Sequence, residues 1–255
     1  MNRRPIIAGN WKMNTSLDEA LALARGVREQ TESVDSIERV LIPPFPWILA
    51  VHGEVSGSGI TVGAQNCYME QSGAFTGEVS PAMLAPHCSY VVLGHSERRH
   101  VLGETDDQVA AKVTAAHSSG LSVILCVGET LEEREAGRAE QIVSQQLRAG
   151  LGNVSWGMTQ SIVIAYEPVW AIGTGVAAST QDAQDMAAFV RSTLANVFDQ
   201  KTANSVRIQY GGSVKGDNAA ELLGCPDVDG ALVGGASLNA DDFGEIIRAA
   251  AAQVN

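Results

Sequence analysis

The segment SIVIAYEPVWAIGTG, residues 161–175, places one carboxylate, Glu167, at the end of an apolar, β-branched run. Pro168 stiffens the chain directly after it and favours extended backbone at Glu167 itself. Val169, Trp170, Ala171 and Ile172 follow, apolar yet beyond the run, and then Gly173 and Gly175 supply permissive backbone and N–H donors. A short apolar loop with a stiff start and a flexible end reads as a lid that closes over a site and excludes water. Sealed beneath it, a carboxylate becomes more basic, which suits abstraction of a weakly acidic proton next to a carbonyl.

Other polar groups fall at the same kind of place. Asn10 and Lys12 follow the apolar run 5–9, His95, Ser96 and Glu97 follow 90–94, and Glu129 comes shortly after 122–126. If Ser96 opens a helical turn, its N–H can bond one ring nitrogen of His95. That would hold the imidazole neutral, lower its pKa and leave the other nitrogen free to donate. Lys12, between Trp11 and Met13, would offset negative charge on a substrate, and Glu97 could pair with it. Gly211-Gly212-Ser213 and Gly234-Gly235-Ala236-Ser237 end two further runs, where backbone N–H groups can hold a phosphate. Each feature alone has an ordinary alternative: a solvated lysine, a structural histidine, a helix-start acid, a carboxylate bridging to an arginine, a pair of tight turns. Their convergence at the ends of successive runs argues for one site.

The elements that must position these groups are the runs themselves. Eight of them, at residues 5–9, 39–43, 60–64, 90–94, 122–126, 162–166, 206–210 and 230–234, are short and continuously apolar rather than alternating. That is the pattern of parallel strands buried on both faces. Helical stretches lie between them. Ser16 with Glu19 and Thr105 with Gln108 read as capping boxes, Asp106 and Asp107 suit a first turn, and Asn239 suits an N-cap. Leu17, Leu21 and Ala24 mark one apolar helix face. The alternation predicts an α/β protein, a closed (β/α)8 barrel, with the site at the C-terminal ends of its strands. A doubly wound open sheet would more often carry GxGxxG after its first strand, where this chain has GNWKMN.

The 255 residues, 45% of them hydrophobic, suit one barrel domain spanning 1–255, with no composition break to mark a second. No apolar run reaches the length of a membrane span, and residues 5–9 are too short for a signal-peptide core. The expectation is a cytoplasmic protein. A net charge of −12, from 17 Lys and Arg against 29 Asp and Glu, argues against nucleic acid or an anionic membrane as partner. A small anionic substrate would need local backbone donors or a placed cation. Cys67, Cys88, Cys126 and Cys225 show no metal-ligand spacing, so neither a metal site nor a disulfide framework is expected.

Six stretches occur in order along the chain: Asn10-Trp11-Lys12-Met13-Asn14, Gly73-Ala74-Phe75-Thr76-Gly77-Glu78, Leu93-Gly94-His95-Ser96-Glu97-Arg98-Arg99, residues 165–175, Tyr210-Gly211-Gly212-Ser213-Val214 and Gly234-Gly235-Ala236-Ser237-Leu238. Together the chain resembles the triosephosphate isomerase family from first strand to last. The resemblance implies an aldose–ketose isomerase that interconverts dihydroxyacetone phosphate and D-glyceraldehyde 3-phosphate through an enediolate, with no cofactor. It implies Glu167 as base, His95 as neutral electrophile, and Lys12 with Asn10 stabilising negative charge. Phosphate would be held by Gly173, Ser213, Gly234 and Gly235. It also implies a homodimer in which residues 65–78 reach the partner, with Thr76 touching the partner's site. One departure is Val176, where the family usually has a lysine at the end of the lid; altered lid opening is the expectation. An aldolase would need a Schiff-base lysine inside the barrel, and of the four lysines only Lys12 ends a run. A non-enzymatic binding barrel predicts loss of the glutamate, histidine or lysine, and all three are present.

Overall fold

The computed structural model describes residues 3–172 and 178–254. Eight parallel strands close into a barrel in sequence order: β1 Ile6–Asn10, β2 Glu38–Ile42, β3 Ile60–Ala64, β4 Tyr90–Leu93, β5 Ser122–Val127, β6 Ile162–Tyr166, β7 Arg207–Tyr210 and β8 Gly230–Val233. β1 pairs with both β2 and β8, which completes the ring. Among the described residues no helix is long and apolar enough to cross a membrane.

The strand runs are continuously apolar because both faces are covered. Ile6, Ala8, Val40, Ile42, Val92, Ile124, Val163 and Leu232 point into one cluster that fills the barrel. Their neighbours Ile7, Leu41, Val91, Val123 and Ile164 join a second cluster under the helices. Side chains of a strand alternate in direction, so a strand between two apolar layers must be apolar at every position. Each fully buried aliphatic side chain contributes roughly 1.5–3 kcal/mol relative to an exposed one.

The observed strand ends differ from the runs by a residue in places. β2 begins at Glu38, whose N–H bonds Pro5 O at 2.8 Å, and stops before Pro43. Proline has no N–H for the ladder. β7 begins one residue after Val206, because the Val206 N–H closes the preceding helix on Thr202 O at 3.0 Å.

Both predicted capping boxes are formed, at Ser16 with Glu19 and at Thr105 with Gln108. Asn239 Oδ1 accepts from the N–H groups of Asp241 and Asp242. The apolar face expected at Leu17, Leu21 and Ala24 is corrected. The helix Leu17–Gln30 buries Ala20, Leu23, Ala24 and Val27, while Leu17 is exposed. The period was helical, but the buried stripe is rotated: of the expected three only Ala24 is fully covered, with Leu21 half-buried and Leu17 outside.

Candidate active site

Glu167 sits on the residue after β6, its N–H bonded to Val127 O at 2.8 Å. Two glycines flank it. A Cβ on Gly128 would lie 1.8 Å from Glu167 O, and one on Gly211 would lie 2.8 Å from Glu167 Cγ. Only glycine at both positions lets the neighbouring strand ends approach this carboxylate. Glu167 is 2% exposed. Its Oε1 lies 3.0 Å from His95 Nε2, and its Oε2 accepts from the Ser96 N–H at 2.8 Å.

This corrects the expected donor to the imidazole. The Ser96 N–H serves Glu167, and the Glu97 N–H points at His95 Nδ1, 3.2 Å away. The outcome for the ring is the one expected from a backbone donor: an accepting Nδ1 carries no proton, so the proton sits on Nε2, facing Glu167. His95 is the N-cap of the helix Ser96–His100, which aims these amides inward.

Lys12 adopts a left-handed conformation, with φ of 52°, which is uncommon outside glycine. Asn10 Oδ1 accepts the Lys12 N–H at 3.0 Å, and Gln65 Nε2 donates to Lys12 O at 2.7 Å and to Ile42 O at 3.1 Å. These bonds hold a backbone geometry that would otherwise be strained. Lys12 Nζ reaches Glu97 Oε1 at 2.6 Å.

A cavity of about 320 Å³ joins the parts. Asn10, Lys12, His95 and Glu167 line it on one side, and Ser213, Gly234 and Gly235 on another. Glu97 meets the cavity through Lys12 and the His95 ring. Ile172, from the start of the predicted lid, also lines it. Thr76 is exposed in residues 70–78 and does not line the cavity. Gly173 and Val176, assigned to phosphate binding and to the hinge, lie outside the described residues, as does Gly175.

Electrostatics in this arrangement run against two sequence expectations. Burial pushes the Glu167 carboxyl up, but the His95 ring, the Ser96 N–H and the Lys12 charge outweigh it and hold it below the usual carboxylate range. For His95, burial pushes the ring down, while the Glu167 charge and hydrogen bond, with Glu97, lift it above its ordinary value. The expected raising of Glu167 and lowering of His95 are therefore reversed here, because each stabilises the charged form of the other. The Glu97 N–H aimed at Nδ1 opposes protonation of the ring.

Three positioning roles escaped the sequence, one of them that of Glu129, whose place after 122–126 had already marked it. Gln65 follows β3 as Asn10 follows β1's Gly9, so its strand-end place was a usable signal. The second feature is the Ser96 amide, whose partner lies 71 residues away. Glu129 is the third, fully buried, its Oε1 accepting from Tyr166 Oη at 3.0 Å and Trp170 Nε1 at 2.8 Å. Arg134 approaches the same oxygen at 3.4 Å and stacks over the Trp170 ring at 4.4 Å. Glu129 thus grips the residues on either side of Glu167 and has no place in the cavity lining.

Comparison with known proteins agrees in extent with this arrangement. The sequence model of the triosephosphate isomerase family matches residues 5–250. A triosephosphate isomerase of Prosthecochloris aestuarii is 52% identical over 250 residues, covering 97% of this chain and 98% of that protein. Those of Magnetococcus marinus and Moorella thermoacetica are 54% and 52% identical, covering 94% and 96% of this chain and 96% and 98% of their own lengths. A closed eight-stranded barrel, matched end to end at half identity, leaves one conclusion: the chain belongs to the triosephosphate isomerase family.

Proposed function

We propose that this enzyme interconverts dihydroxyacetone phosphate and D-glyceraldehyde 3-phosphate through an enediolate, with Glu167 as the base and neutral His95 as the electrophile. The observation that carries this reading is the 3.0 Å approach of Glu167 Oε1 to His95 Nε2 on the wall of one cavity. Glu167 takes a proton from the carbon next to the carbonyl, and the electron pair moves onto the carbonyl oxygen. His95 Nε2–H donates to that oxygen and then moves protons between the two oxygens. Glu167 returns its proton to the adjacent carbon, so the sum is an isomerisation with no net redox change. Lys12 and Asn10 stabilise the negative charge. Backbone N–H groups at Ser213, Gly234 and Gly235, with Gly173, hold the phosphate.

The charge balance described above makes movement of Glu167 part of the mechanism. Held against His95 and Ser96, the carboxylate is a weak base. Turned from them toward a substrate carbon it keeps the burial that raises its pKa and loses the two contacts that lower it. His95 simultaneously loses its upward pull and keeps burial and the Glu97 N–H, both of which favour the neutral ring.

A coupled assay with pure protein and D-glyceraldehyde 3-phosphate tests the reading. Conversion to dihydroxyacetone phosphate is expected without added metal or cofactor; a folded chain with no turnover would overturn it.

The second part of the reading is a homodimer. Met13, Leu49, Met83, Val101 and Leu102 are all exposed, Met13 at 95%, and Phe75 is exposed in the loop that carries Thr76. Apolar side chains left in solvent are what a partner chain would cover. Sedimentation equilibrium is expected to give twice the 26.8 kDa chain mass at micromolar concentration. A monomer there would rule the dimer out.

A further inference from the structure

The cavity carries a second cation that the mechanism above does not use. Lys215 lines it beside Ser213 and Val214, next to the helix Gly216–Leu223. Lys215 is exposed, and among the described residues its ammonium is in no ion pair. Lys12, the other lysine of this cavity, is already matched by Glu97 at 2.6 Å. With Glu167 ionised, Lys12, Glu97 and Glu167 together leave one negative charge in the site, on a chain of net charge −12. A sugar phosphate brings about two more negative charges at neutral pH. Such a ligand is repelled by the site and by the protein unless a free cation stands at the entrance.

The backbone around Lys215 is held by hydrogen bonds, and its side chain is exposed. Its N–H bonds Asn218 Oδ1 at 2.8 Å, and Asn218 Nδ2 bonds Ser213 O at 3.0 Å. Acids on its own and packed elements include Asp217, in the first turn of the same helix, and Glu245, whose carboxylate lies against Gly216. Neither comes within ion-pair distance of Lys215. A flexible four-carbon stem on a rigid turn gives the ammonium reach over the Ser213 amide.

We propose that Lys215 is a substrate-binding residue, whose ammonium attracts and holds the phosphate dianion at the Ser213 end of the cavity. This rests on the isomerase reading for the substrate, although the phosphate site itself is testable without it. At low ionic strength Lys215→Met is expected to raise KM for D-glyceraldehyde 3-phosphate by roughly 5- to 20-fold, with the loss in KM rather than kcat. The inhibition constant of inorganic phosphate should rise by the same factor, and Lys215→Arg should restore most of both. Raising ionic strength to about 0.5 M should shrink the gap between wild type and variant to less than about twofold, as expected for an exposed charge. A charge-independent structural role would leave the gap unchanged by salt. Wild-type turnover with equal KM and equal phosphate inhibition in Lys215→Met at low salt would overturn the proposal. If the wild-type chain does not isomerise, the isomerase reading fails. Calorimetric binding of inorganic phosphate to wild type and Lys215→Met then decides Lys215 alone: weaker binding by the variant supports it, and equal binding overturns it.

Discussion

Glu167→Asp is expected to lower kcat by about 10²- to 10³-fold while KM moves by less than about threefold. Shortening the side chain by one methylene withdraws the carboxylate by about 1 Å, and a displacement of that size costs on the order of 10²-fold in a proton transfer. The surroundings cannot follow it. The backbone of residue 167 is tied to Val127 O at 2.8 Å, and the chain continues into Pro168. Gly128 on one side and Gly211 on the other already press against it with no room for a Cβ. Tyr166 and Trp170, one residue before and three after, are both bonded to the same oxygen of Glu129. A backbone shift that brought the shorter carboxylate forward would break at least one of these contacts. KM is spared because the proposed phosphate and charge contacts come from other strand ends. Steady-state kinetics in both directions make the measurement; a variant with wild-type kcat would show that Glu167 is not the base.

The sequence carried the barrel because burial on both strand faces leaves a mark that local patterning can read. Strand β6 and strand β3 fall on the predicted residues without a shift. The site was legible as a set of polar residues that end apolar runs, since a barrel brings those ends together whatever the helices between them do. What was not legible depends on partners distant in sequence. Nothing near Ser96 says that its amide faces residue 167 rather than residue 95. The left-handed turn at Lys12 is held from Gln65, 53 residues away. The direction of the Glu167 shift depended on where the carboxylate rests, and a strand-end position does not specify a rotamer. The helix face of Leu17 failed for a related reason: apolarity marks a candidate for burial, but the neighbouring helix decides which side of the stripe is covered.

Glu104→Gln is expected to cost about 3–5 kcal/mol of stability at pH 7, lowering Tm by roughly 6–20 °C. Glu104 and Lys112 are both buried and form a direct ion pair. Arg98 Nε adds a bond to the same Glu104 oxygen at 3.0 Å, and Lys112 Nζ also bonds Asn66 Oδ1 at 3.0 Å. The amide would remove the negative charge and leave the Lys112 ammonium buried with neutral acceptors alone, the introduced amide oxygen and Asn66 Oδ1. The pH dependence follows from the same contacts. Burial pushes the Glu104 carboxyl up, but the Lys112 and Arg98 bonds and charges outweigh it, so its folded-state pKa lies below the usual carboxylate range. Because that pKa is depressed, the charge contributes stability above the unfolded value near pH 4 and loses it as pH falls through the folded value. The gap between wild type and variant should therefore be constant from about pH 6 to 8 and shrink in acid. Chemical denaturation across that range reads it, and a loss below about 1 kcal/mol at neutral pH would refute the argument. Lys112→Met added to Glu104→Gln should recover part of the loss, since the buried ammonium is then gone and the remaining Arg98 charge is partly exposed. The cluster also bears on the chemistry. Asn66 adjoins Gln65, which holds Lys12, and Arg98 lies in the helix that presents the Ser96 and Glu97 amides. Loosening it would release the two sides of the cavity from each other, so kcat of the variant should fall at temperatures well below its unfolding transition.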